Sequence, residues 1–390
     1  MDKTIAILGA TGSVGTQAID VALARGYRVD LLTANRDYAS MESFARKLHP
    51  KYVAMADESA ARELKLRLSD TDIRVLPGRE GVLEGIFESS ADTVVNSILG
   101  EAGLRPSLAV IDAHKRLALA NKESLVIAGE VVMSRAQERG VTILPVDSEH
   151  SAIFQSLKTG RRSEVKRLIL TASGGPFFGY TKEELSRVTR EDALAHPTWK
   201  MGKKITVDSA TLMNKGFEVI EAAHLFGIAP EKIEVVVHRE SILHSAVEYI
   251  DNSVIGEFSV PDMRMCVQYA VDYPERCPSA SGELDLTALG KLTFYRPDTE
   301  AFPFLGLAKR LAAMGGAMPA VMNAADEEAV AAFLNGKLSF VGIYDTVCEV
   351  TQRLSDRRLE RSLDGIIDSD REARALAREY IAKQNGGIIS

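Results

Sequence analysis

One run of residues near the N-terminus sets the architecture of the chain: Thr4-Ile5-Ala6-Ile7-Leu8-Gly9-Ala10-Thr11-Gly12-Ser13-Val14-Gly15. Its first five residues are apolar or β-branched, which predicts a buried strand, and a helical pattern begins near Thr16. Strand, glycine turn and helix in this order are typical of a dinucleotide-binding fold, because the backbone of the turn can approach a pyrophosphate. The helix N-terminus would favour the charge of that group. The alternative is a glycine turn that only links a strand to a helix.

The second predicted strand, residues 28–33, is followed by Ala34-Asn35-Arg36-Asp37. NAD enzymes usually carry an acidic residue at this strand end, where it binds a ribose hydroxyl. Here Asn35 and Arg36 come first, and a guanidinium suits a 2′-phosphate. The sequence therefore favours NADP over NAD, with a solvated arginine as the alternative.

Strands and helices alternate through the first third of the chain, which predicts a doubly wound parallel sheet. The fold class is therefore α/β, with a Rossmann-like domain over residues 1–150. Asn121, Lys122 and Glu123 follow one of its strands, and ligands bind at the carboxyl ends of such strands. Lys122 is expected to face the substrate or the nicotinamide, and Asn121 and Glu123 the ribose. A segment that merely caps the next helix is the alternative.

The segment Pro145–His150 lies between a predicted strand and a predicted helix. Asp147 and Glu149 are two residues apart, so in an extended segment both carboxylates point to the same side. Two such carboxylates suit a hard divalent cation. The competing interpretation is structural, with Asp147 or Ser148 as the helix N-cap and Glu149 in the first turn.

The central region, residues 151–300, reads as a mixed α+β domain that would complete the site. Ser209 is predicted to cap a helix on which Asn214, Lys215 and Glu218 cluster, since they lie three and four residues apart. Glu218 is a candidate third carboxylate for the cation, while Ser173, Ser209, Asn214 and Lys215 are candidate phosphate ligands. An ordinary helical ion pair is the alternative. Gly216 inside this helix suggests a close approach to its backbone.

Residues 174–203 are predicted to form a lid, because glycines border the segment and the only tryptophan, Trp199, lies inside it. A surface loop with its tryptophan packed in the core is the alternative. From about residue 301 to 390 the pattern is helical, which predicts a C-terminal helical bundle without a catalytic group.

Composition limits the class of protein. The formal net charge is −7, which argues against nucleic acid or an anionic membrane as the main partner. No apolar run is long enough to cross a bilayer. Three widely spaced cysteines fit reduced thiols, and the first strand begins without room for a signal peptide, so a cytoplasmic location is expected.

Taken together, the motifs resemble one family, the 1-deoxy-D-xylulose 5-phosphate reductoisomerases. The resemblance extends in order over essentially the whole chain and rests on the following segments: Gly9–Gly15, Ala120–Ser124, Leu144–His150, Ser173–Phe177, His196-Pro197, Trp199, Met201–Ile205, Asp208–Gly216 and Glu218.

The resemblance implies an NADPH-dependent enzyme of isoprenoid precursor biosynthesis, which rearranges and reduces 1-deoxy-D-xylulose 5-phosphate to 2-C-methyl-D-erythritol 4-phosphate. It also implies a homodimer and a cation, Mg²⁺, Mn²⁺ or Co²⁺, held by Asp147, Glu149 and Glu218. These three and Lys122 would be catalytic. The implied substrate-binding residues are Lys122, Ser148, Glu149, Ser173, His196, Trp199, Ser209, Asn214, Lys215 and Glu218. The implied cofactor-binding residues are Thr11, Gly12, Ser13, Val14, Asn121, Glu123 and Gly202, to which we add Ala34, Asn35 and Arg36 from their place after the second strand.

Two other hypotheses compete with this one. Phosphorylating semialdehyde dehydrogenases open with a similar glycine turn, but they need a cysteine nucleophile of lowered pKa. Cys266, Cys277 and Cys348 all lie outside strand-to-helix turns. A non-catalytic NADPH-sensing protein is the third hypothesis, and it would have no need of three carboxylates beside a phosphate cluster.

Overall fold

The computed structural model describes residues 3–199 and 201–386, and the chain divides into two compact units. The first unit runs from the N-terminus to Ser124 and also includes Val132–Ser151 and Asp262–Glu283. The second unit contains Leu125–Val131, Ala152–Pro261 and the chain from Leu284 onward. The division into domains at residues 150 and 300 stays a prediction.

The first unit is built on seven strands, and every neighbouring pair is parallel. Their order across the sheet is β4-β3-β2-β1-β5-β6-β7, so the chain starts in the middle and builds outward in both directions. The strands are β1 Thr4–Leu8, β2 Arg28–Ala34, β3 Tyr52–Met55, β4 Arg74–Pro77, β5 Thr93–Asn96, β6 Arg116–Leu119 and β7 Ile143–Pro145. The predicted doubly wound parallel sheet is confirmed.

Helices connect these strands, as parallel pairing requires. The helices up to the middle of the chain are α1 Ser13–Arg25, α2 Tyr38–Leu48, α3 Glu58–Arg67, α4 Gly78–Glu88, α5 Leu104–Asp112, α6 Glu123–Arg139 and α7 Ser148–Ser156. Most residues of β1, β2, β3 and β5 are fully buried, which explains their nearly continuous apolar sequence.

The second unit contains a four-stranded sheet in the order β11-β10-β8-β9. Its strands are β8 Val165–Ala172, β9 Ile233–Val237, β10 Leu243–Tyr249 and β11 Val254–Phe258. β10 is antiparallel to both of its neighbours, whereas β8 and β9 are parallel, so the ends of β8 and β9 lie at the same edge. This arrangement confirms the predicted α+β character.

The remaining helices are α8 Lys182–Leu185, α9 Arg190–Ala193, α10 Lys203–Thr211, α11 Met213–Phe226, α12 Met263–Asp272, α13 Leu286–Leu289, α14 Phe304–Met314, α15 Met318–Leu334, α16 Phe340–Arg353 and α17 Leu363–Gly386. Helices α14 to α17 form the predicted C-terminal helical region. Its core continues into α10 and α11 through buried residues such as Val207, Met213 and Phe217. Among the described residues, no helix is both long enough and apolar enough to span a membrane.

One local prediction was wrong. Ser209 is not an N-cap but lies inside α10, and the predicted single helix is two helices. Leu212 separates them with a left-handed backbone, at φ 61° and ψ 12°. A leucine rarely adopts this conformation, so the sequence carries no sign of the break.

Candidate active site

The glycine turn after β1 has the backbone geometry that the sequence predicted. Gly9 lies at φ +79°, and a Cβ there would come within 2.8 Å of the Ser97 carbonyl oxygen. A side chain at Gly15 would overlap the Gly9 backbone. Gly12 is the N-cap of α1 and offers no capping side chain, so the start of the helix remains accessible to an anion beside Thr11, Ser13 and Val14.

Ala34 is the buried last residue of β2, and the next two side chains, Asn35 and Arg36, are exposed. The Arg36 Nε lies 3.1 Å from the Asp57 Oδ2. Hydrogen bonds from the backbone of Ala60 lower the pKa of Asp57, and Arg36 lowers it further. Since the Arg36 side chain is 81% exposed, its guanidinium is accessible to a ligand at this edge of the sheet.

Asn121 has the capping role that we gave as the alternative. Its Nδ2 donates to the Gly100 carbonyl at 3.0 Å and to the Glu123 Oε2 at 2.9 Å. Its Oδ1 accepts from the Ser124 backbone N–H at 3.0 Å, at the start of α6. Asn121 is buried, so these contacts fix the segment from which Lys122 extends.

Lys122 and Asp147 form a buried ion pair at the ends of β6 and β7, with 2.8 Å between Nζ and Oδ2. The other oxygen of Asp147 accepts from the backbone N–H groups of Glu149 and His150, at 3.1 and 3.4 Å. Ser148 donates its hydroxyl to the Glu149 carboxylate at 2.6 Å. The capping interpretation is therefore correct for one oxygen of Asp147, whereas the other oxygen faces Lys122. The cation site stays a prediction.

Burial alone would raise the pKa of Asp147, but the charges of Lys122 and His150 hold that pKa well below its usual range. Asp147 is therefore a carboxylate at neutral pH. An ionised oxygen set of this kind is what a hard divalent cation requires.

The second unit carries the predicted cluster on α11. Asn214 donates its Nδ2 to the Glu218 Oε1 at 2.6 Å, and the Lys215 ammonium binds the other oxygen of Glu218. Lys215 and Glu218 are 4% and 1% exposed, so this charged pair is shielded from water. The predicted close contact with the helix backbone at Gly216 is made by α14, because a Cβ at Gly216 would lie 2.7 Å from the Ala308 Cβ.

A second polar group of this unit follows β8. The Ser173 hydroxyl lies 3.0 Å from the His196 Nε2, and the His196 Nδ1 accepts from the backbone N–H groups of Thr198 and Trp199 at 3.2 and 2.9 Å. An Nδ1 that accepts places the proton of a neutral ring on Nε2. His196 therefore donates to the Ser173 oxygen, which leaves the Ser173 hydroxyl proton available for a ligand.

Burial lowers the pKa of His196 to about 4, and the nearby positive charge of Arg239 acts in the same direction. Sequence analysis missed Arg239, whose Nη1 donates to the carbonyls of Ser173 and Gly175 at 3.2 and 2.8 Å. The position of Arg239 after β9 became informative only in the structure, where β9 runs parallel to β8.

The predicted lid is partly anchored. Phe177, Leu185 and Ala193 are buried in the core of the second unit, so the predicted lid is packed in place at these three residues. Trp199 lies with its ring centroid 6.2 Å from that of His244. Gly202 is the N-cap of α10 and accepts from Thr206 N–H and Oγ1 at 3.1 and 2.8 Å. Met201 and Gly202 are described, while the predicted lid also includes Lys200, which lies outside the described residues.

A glycine turn on a parallel sheet, with charged and amide side chains at the strand ends, is typical of dinucleotide-dependent oxidoreductases. Three family models match the chain, all described as 1-deoxy-D-xylulose 5-phosphate reductoisomerase or its C-terminal domains, over residues 5–129, 143–226 and 258–376. The chain belongs to the 1-deoxy-D-xylulose 5-phosphate reductoisomerase family.

Reductoisomerases of other organisms align with this chain over almost their full length. The 1-deoxy-D-xylulose 5-phosphate reductoisomerase of Symbiobacterium thermophilum is 50% identical over 385 residues, which is 97% of this chain and 99% of the relative. The reductoisomerase of Acetivibrio thermocellus is 51% identical over 381 residues, 98% of this chain and 100% of the relative.

Solved structures support the same family. The Zymomonas mobilis reductoisomerase in complex with NADPH has a TM-score of 0.91 at 41% identity and covers 98% of this chain and 99% of its own. A reductoisomerase in complex with NADPH, fosmidomycin and magnesium has a TM-score of 0.93 at 36% identity. The match covers 97% of this chain and 98% of that structure's chain. The predicted family and enzyme class are confirmed, and the cofactors predicted from the sequence agree with those in the solved relatives.

The alternative of a semialdehyde dehydrogenase is not supported. Burial raises the pKa of the Cys348 thiol, whereas a cysteine nucleophile needs a lowered one. The third hypothesis, a non-catalytic sensor, does not agree with membership of a family of enzymes.

Proposed function

We propose that this chain converts 1-deoxy-D-xylulose 5-phosphate to 2-C-methyl-D-erythritol 4-phosphate with NADPH and a divalent cation, and that the sequence-predicted site residues perform the reaction. One observation carries the assignment of roles, the buried pair of Lys122 and Asp147 at the ends of adjacent strands. Chemistry in sheets of this kind takes place at the carboxyl ends of the strands.

The residues after β1 and β2 fit NADPH. Thr11, Gly12, Ser13 and Val14 present the start of α1 to the pyrophosphate. Ala34 leads to Asn35 and Arg36, where the exposed guanidinium would exchange its surface partner Asp57 for the 2′-phosphate. Asn121 and Glu123, already joined by a hydrogen bond, would hold the nicotinamide ribose, and Gly202 would contact the cofactor from the start of α10.

Asp147, Glu149 and Glu218 fit a hard cation, because they offer carboxylate oxygens alone and no thiolate. Magnesium or manganese suits this donor set, and cobalt is the third candidate. When bound, such a cation supplies Lewis-acid stabilisation of the oxyanion that forms as the carbon–carbon bond breaks and re-forms. Lys122 adds a positive charge beside Asp147.

The residues proposed for the substrate divide into two groups. Lys122, Ser148 and Glu149 lie at the ends of β6 and β7 and would contact the reacting part of the sugar. In the second unit, Ser173, Ser209, Asn214 and Lys215 would bind the phosphate, with neutral His196 directing the Ser173 hydroxyl and Trp199 covering the ligand. Glu218 completes the second group as a substrate contact beside the cation.

We also propose a homodimer formed through β11. This strand ends the four-stranded sheet, and one of its edges has no neighbouring strand among the described residues. Val254, Ile255 and Phe258 on it, and Ile250 before it, are 37% to 66% exposed. Unpaired edges with apolar side chains favour strand pairing between chains.

Light scattering on Ile255→Lys tests the dimer, with Leu66→Lys as the control because Leu66 is a 71% exposed leucine of the first unit. We expect Ile255→Lys to dissociate the dimer and Leu66→Lys to leave it intact. If both variants remain dimeric, pairing through β11 is wrong.

A cytoplasmic location belongs to the same proposal. Among the described residues no cysteine forms a disulfide, with Cys266 buried and Cys277 and Cys348 partly buried. Reduced thiols of this kind suit a reducing compartment.

The activity test is NADPH oxidation at a fixed concentration of 1-deoxy-D-xylulose 5-phosphate, with and without a chelator. We expect substrate-dependent oxidation that stops on chelation and returns when magnesium or manganese is added. Turnover that survives complete metal removal would contradict the cation site, and no turnover under any metal would contradict the reaction.

A further inference from the structure

Three charged residues of the second unit meet outside the proposed ligand contacts. Lys204 on α10 places its Nζ 2.5 Å from the Asp208 Oδ2 and 2.9 Å from the Asp326 Oδ2, the latter on α15. Its ammonium also lies 4.6 Å from the centre of the Phe217 ring on α11. We call Lys204, Asp208 and Asp326 the α10 cluster. It joins α10 to α15, and the contact with Phe217 adds α11.

The α10 cluster is buried on its acidic side. The side chains of Asp208 and Asp326 are 3% and 0% exposed. Among the described residues, Asp208 Oδ1 and Asp326 Oδ1 have no hydrogen-bond donor. Buried carboxyl oxygens without donors are costly, and a buried pair of carboxylates with one ammonium leaves one negative charge uncompensated.

A shared proton resolves both difficulties. Burial raises the pKa of Asp208 well above its usual range, and the nearby Asp326 raises it further. Burial likewise raises the pKa of Asp326, and Glu327 acts in the same direction. With one carboxyl protonated, the cluster is neutral, and the added O–H supplies a donor to the other carboxyl group.

The α10 cluster lies where it can set the position of the phosphate ligands. Ser209 directly follows Asp208 on α10, and the backbone there packs closely against the loop after β8. A Cβ at Gly175 would lie 2.7 Å from the Ser209 carbonyl oxygen. The position of α10 therefore determines both the Ser209 hydroxyl and the loop that carries Ser173.

We propose that Lys204, Asp208 and Asp326 are positioning residues that lock α10 to α15 and so hold Ser209 where it binds the substrate phosphate. This inference rests on the proposed function of Ser209. The lock needs the lysine charge and one carboxylate, while the second acidic group acts as a neutral hydrogen-bonding partner.

The test compares four variants by KM for 1-deoxy-D-xylulose 5-phosphate, by inhibition constant for inorganic phosphate and by dissociation constant for NADPH. Lys204→Met should raise the KM and the phosphate inhibition constant about tenfold, because small displacements of binding groups are costly. NADPH affinity should change far less than the KM, because the nucleotide is assigned mainly to the glycine turn and only Gly202 on α10 is proposed to contact it. Asp326→Asn should keep both constants within about twofold, since an amide replaces a protonated carboxyl group.

Arg374→Met is the matched control. Arg374 is 20% exposed, compared with 27% for Lys204, and it pairs at 2.8 Å with Glu327, the neighbour of Asp326 on α15. The control should lower the melting temperature without changing the KM. If Lys204→Met also lowers only the melting temperature, the α10 cluster is structural and the proposal is wrong. A loss with Asp326→Asn as large as with Lys204→Met would overturn the shared proton.

Ser209→Ala separates this inference from the proposed function. An unchanged KM for Ser209→Ala would refute the phosphate role of Ser209, and with it the basis of the inference. A raised KM for Ser209→Ala together with an unchanged KM for Lys204→Met would refute the positioning role alone. If Lys204→Met fails to fold, Asp326→Ala breaks the same contact from α15 and should raise the KM and the phosphate inhibition constant in the same direction.

Discussion

Some side chains in this protein both cap a helix and contact a proposed site residue. Asp147 is the N-cap of α7 through one oxygen and the partner of Lys122 through the other. Asn121 likewise caps α6 while it holds Glu123. Structural and functional roles therefore coincide at these residues, so a substitution that preserves the cap can still remove the functional oxygen.

His196 should remain neutral throughout the physiological range, because burial and Arg239 lower its pKa to about 4. The folded state then binds fewer protons at His196 than the unfolded state, in which the pKa is near 6.5. This contribution to stability is complete above the unfolded pKa and is lost as the pH falls toward about 4. NMR titration of the ring should give a midpoint near the lowered value, and the stability of His196→Asn should fall less between pH 7 and pH 5. A midpoint near 6.5 would contradict the lowered pKa of His196.

Arg36 is expected to select NADPH over NADH. Arg36→Ala should raise the KM for NADPH by at least about tenfold and leave that for NADH nearly unchanged, because only NADPH carries a 2′-phosphate. The control is Arg62→Ala, which removes another exposed arginine, paired at 3.9 Å with Glu58 on the nearby α3. Equal effects on the two cofactors would assign the 2′-phosphate to another residue, with Asn35 as the next candidate.

Helix contacts, rather than ligand contacts, explain some residues that looked functional. A glycine inside a helix, such as Gly216 in α11, lowers the stability of that helix. The structure explains its presence, because α11 and α14 cross closely at Ala308. The α8 and α9 turns of the predicted lid are each closed by a capping box and packed in the core. The packing of these helices therefore determines which parts of the proposed site are held in place.

Gly216→Ala should destabilise the protein by about 1–3 kcal/mol, although alanine normally favours a helix, because its Cβ would overpack against Ala308. Gly306→Ala on α14 is the control, since a Cβ there meets its nearest atom at an ordinary 3.6 Å. Urea unfolding should show a neutral or stabilising effect for the control. The double variant Gly216→Ala with Ala308→Gly should recover most of the loss, and purely additive effects would contradict the contact.

Trp199 should report any movement of the segment after Ala193, because it is the only tryptophan of the chain. Binding of NADPH and a substrate analogue together is expected to change its emission and to protect the segment from protease. His244→Ala should alter the emission of the free protein, since the two rings lie 6.2 Å apart. Emission and protease sensitivity that do not respond to either ligand would favour the fixed-loop alternative.

At the scale of the whole molecule, the proposed cation site draws ligands from distant parts of the chain. Asp147 and Glu149 lie at the start of α7, whereas Glu218 lies on α11. A cation held by these carboxylates would make activity depend on all three at once.

Asp147→Asn, Glu149→Gln and Glu218→Gln should each lower kcat at saturating magnesium by at least about 100-fold, and the double variants should lose little more. NADPH binding should remain nearly intact, because the nucleotide is assigned mainly to the glycine turn. Glu257→Gln serves as the control, since Glu257 lies on β11 and has no proposed role in the site. Near-normal kcat and metal affinity in Glu218→Gln would remove Glu218 from the site.

The sequence by itself determined the parallel sheet, the glycine turn and the grouping of Asn214, Lys215 and Glu218. These features follow from the periodicity of apolar residues and from the fixed spacing of side chains along a strand or a helix. Both depend only on residues a few positions apart in the sequence. Motifs of that kind also identified the family before any coordinate was known.

Only the tertiary structure decided which distant segments meet. Asp262–Glu283 returns to the first unit, where Lys3 pairs with Asp272 at 3.1 Å, and Asp326 joins Lys204 from more than a hundred residues away. The break at Leu212 was equally hidden, since its left-handed backbone is a conformation that a leucine rarely adopts. Long-range pairing and packing leave no periodic trace in the sequence, because they depend on side chains that share neither an element nor a spacing.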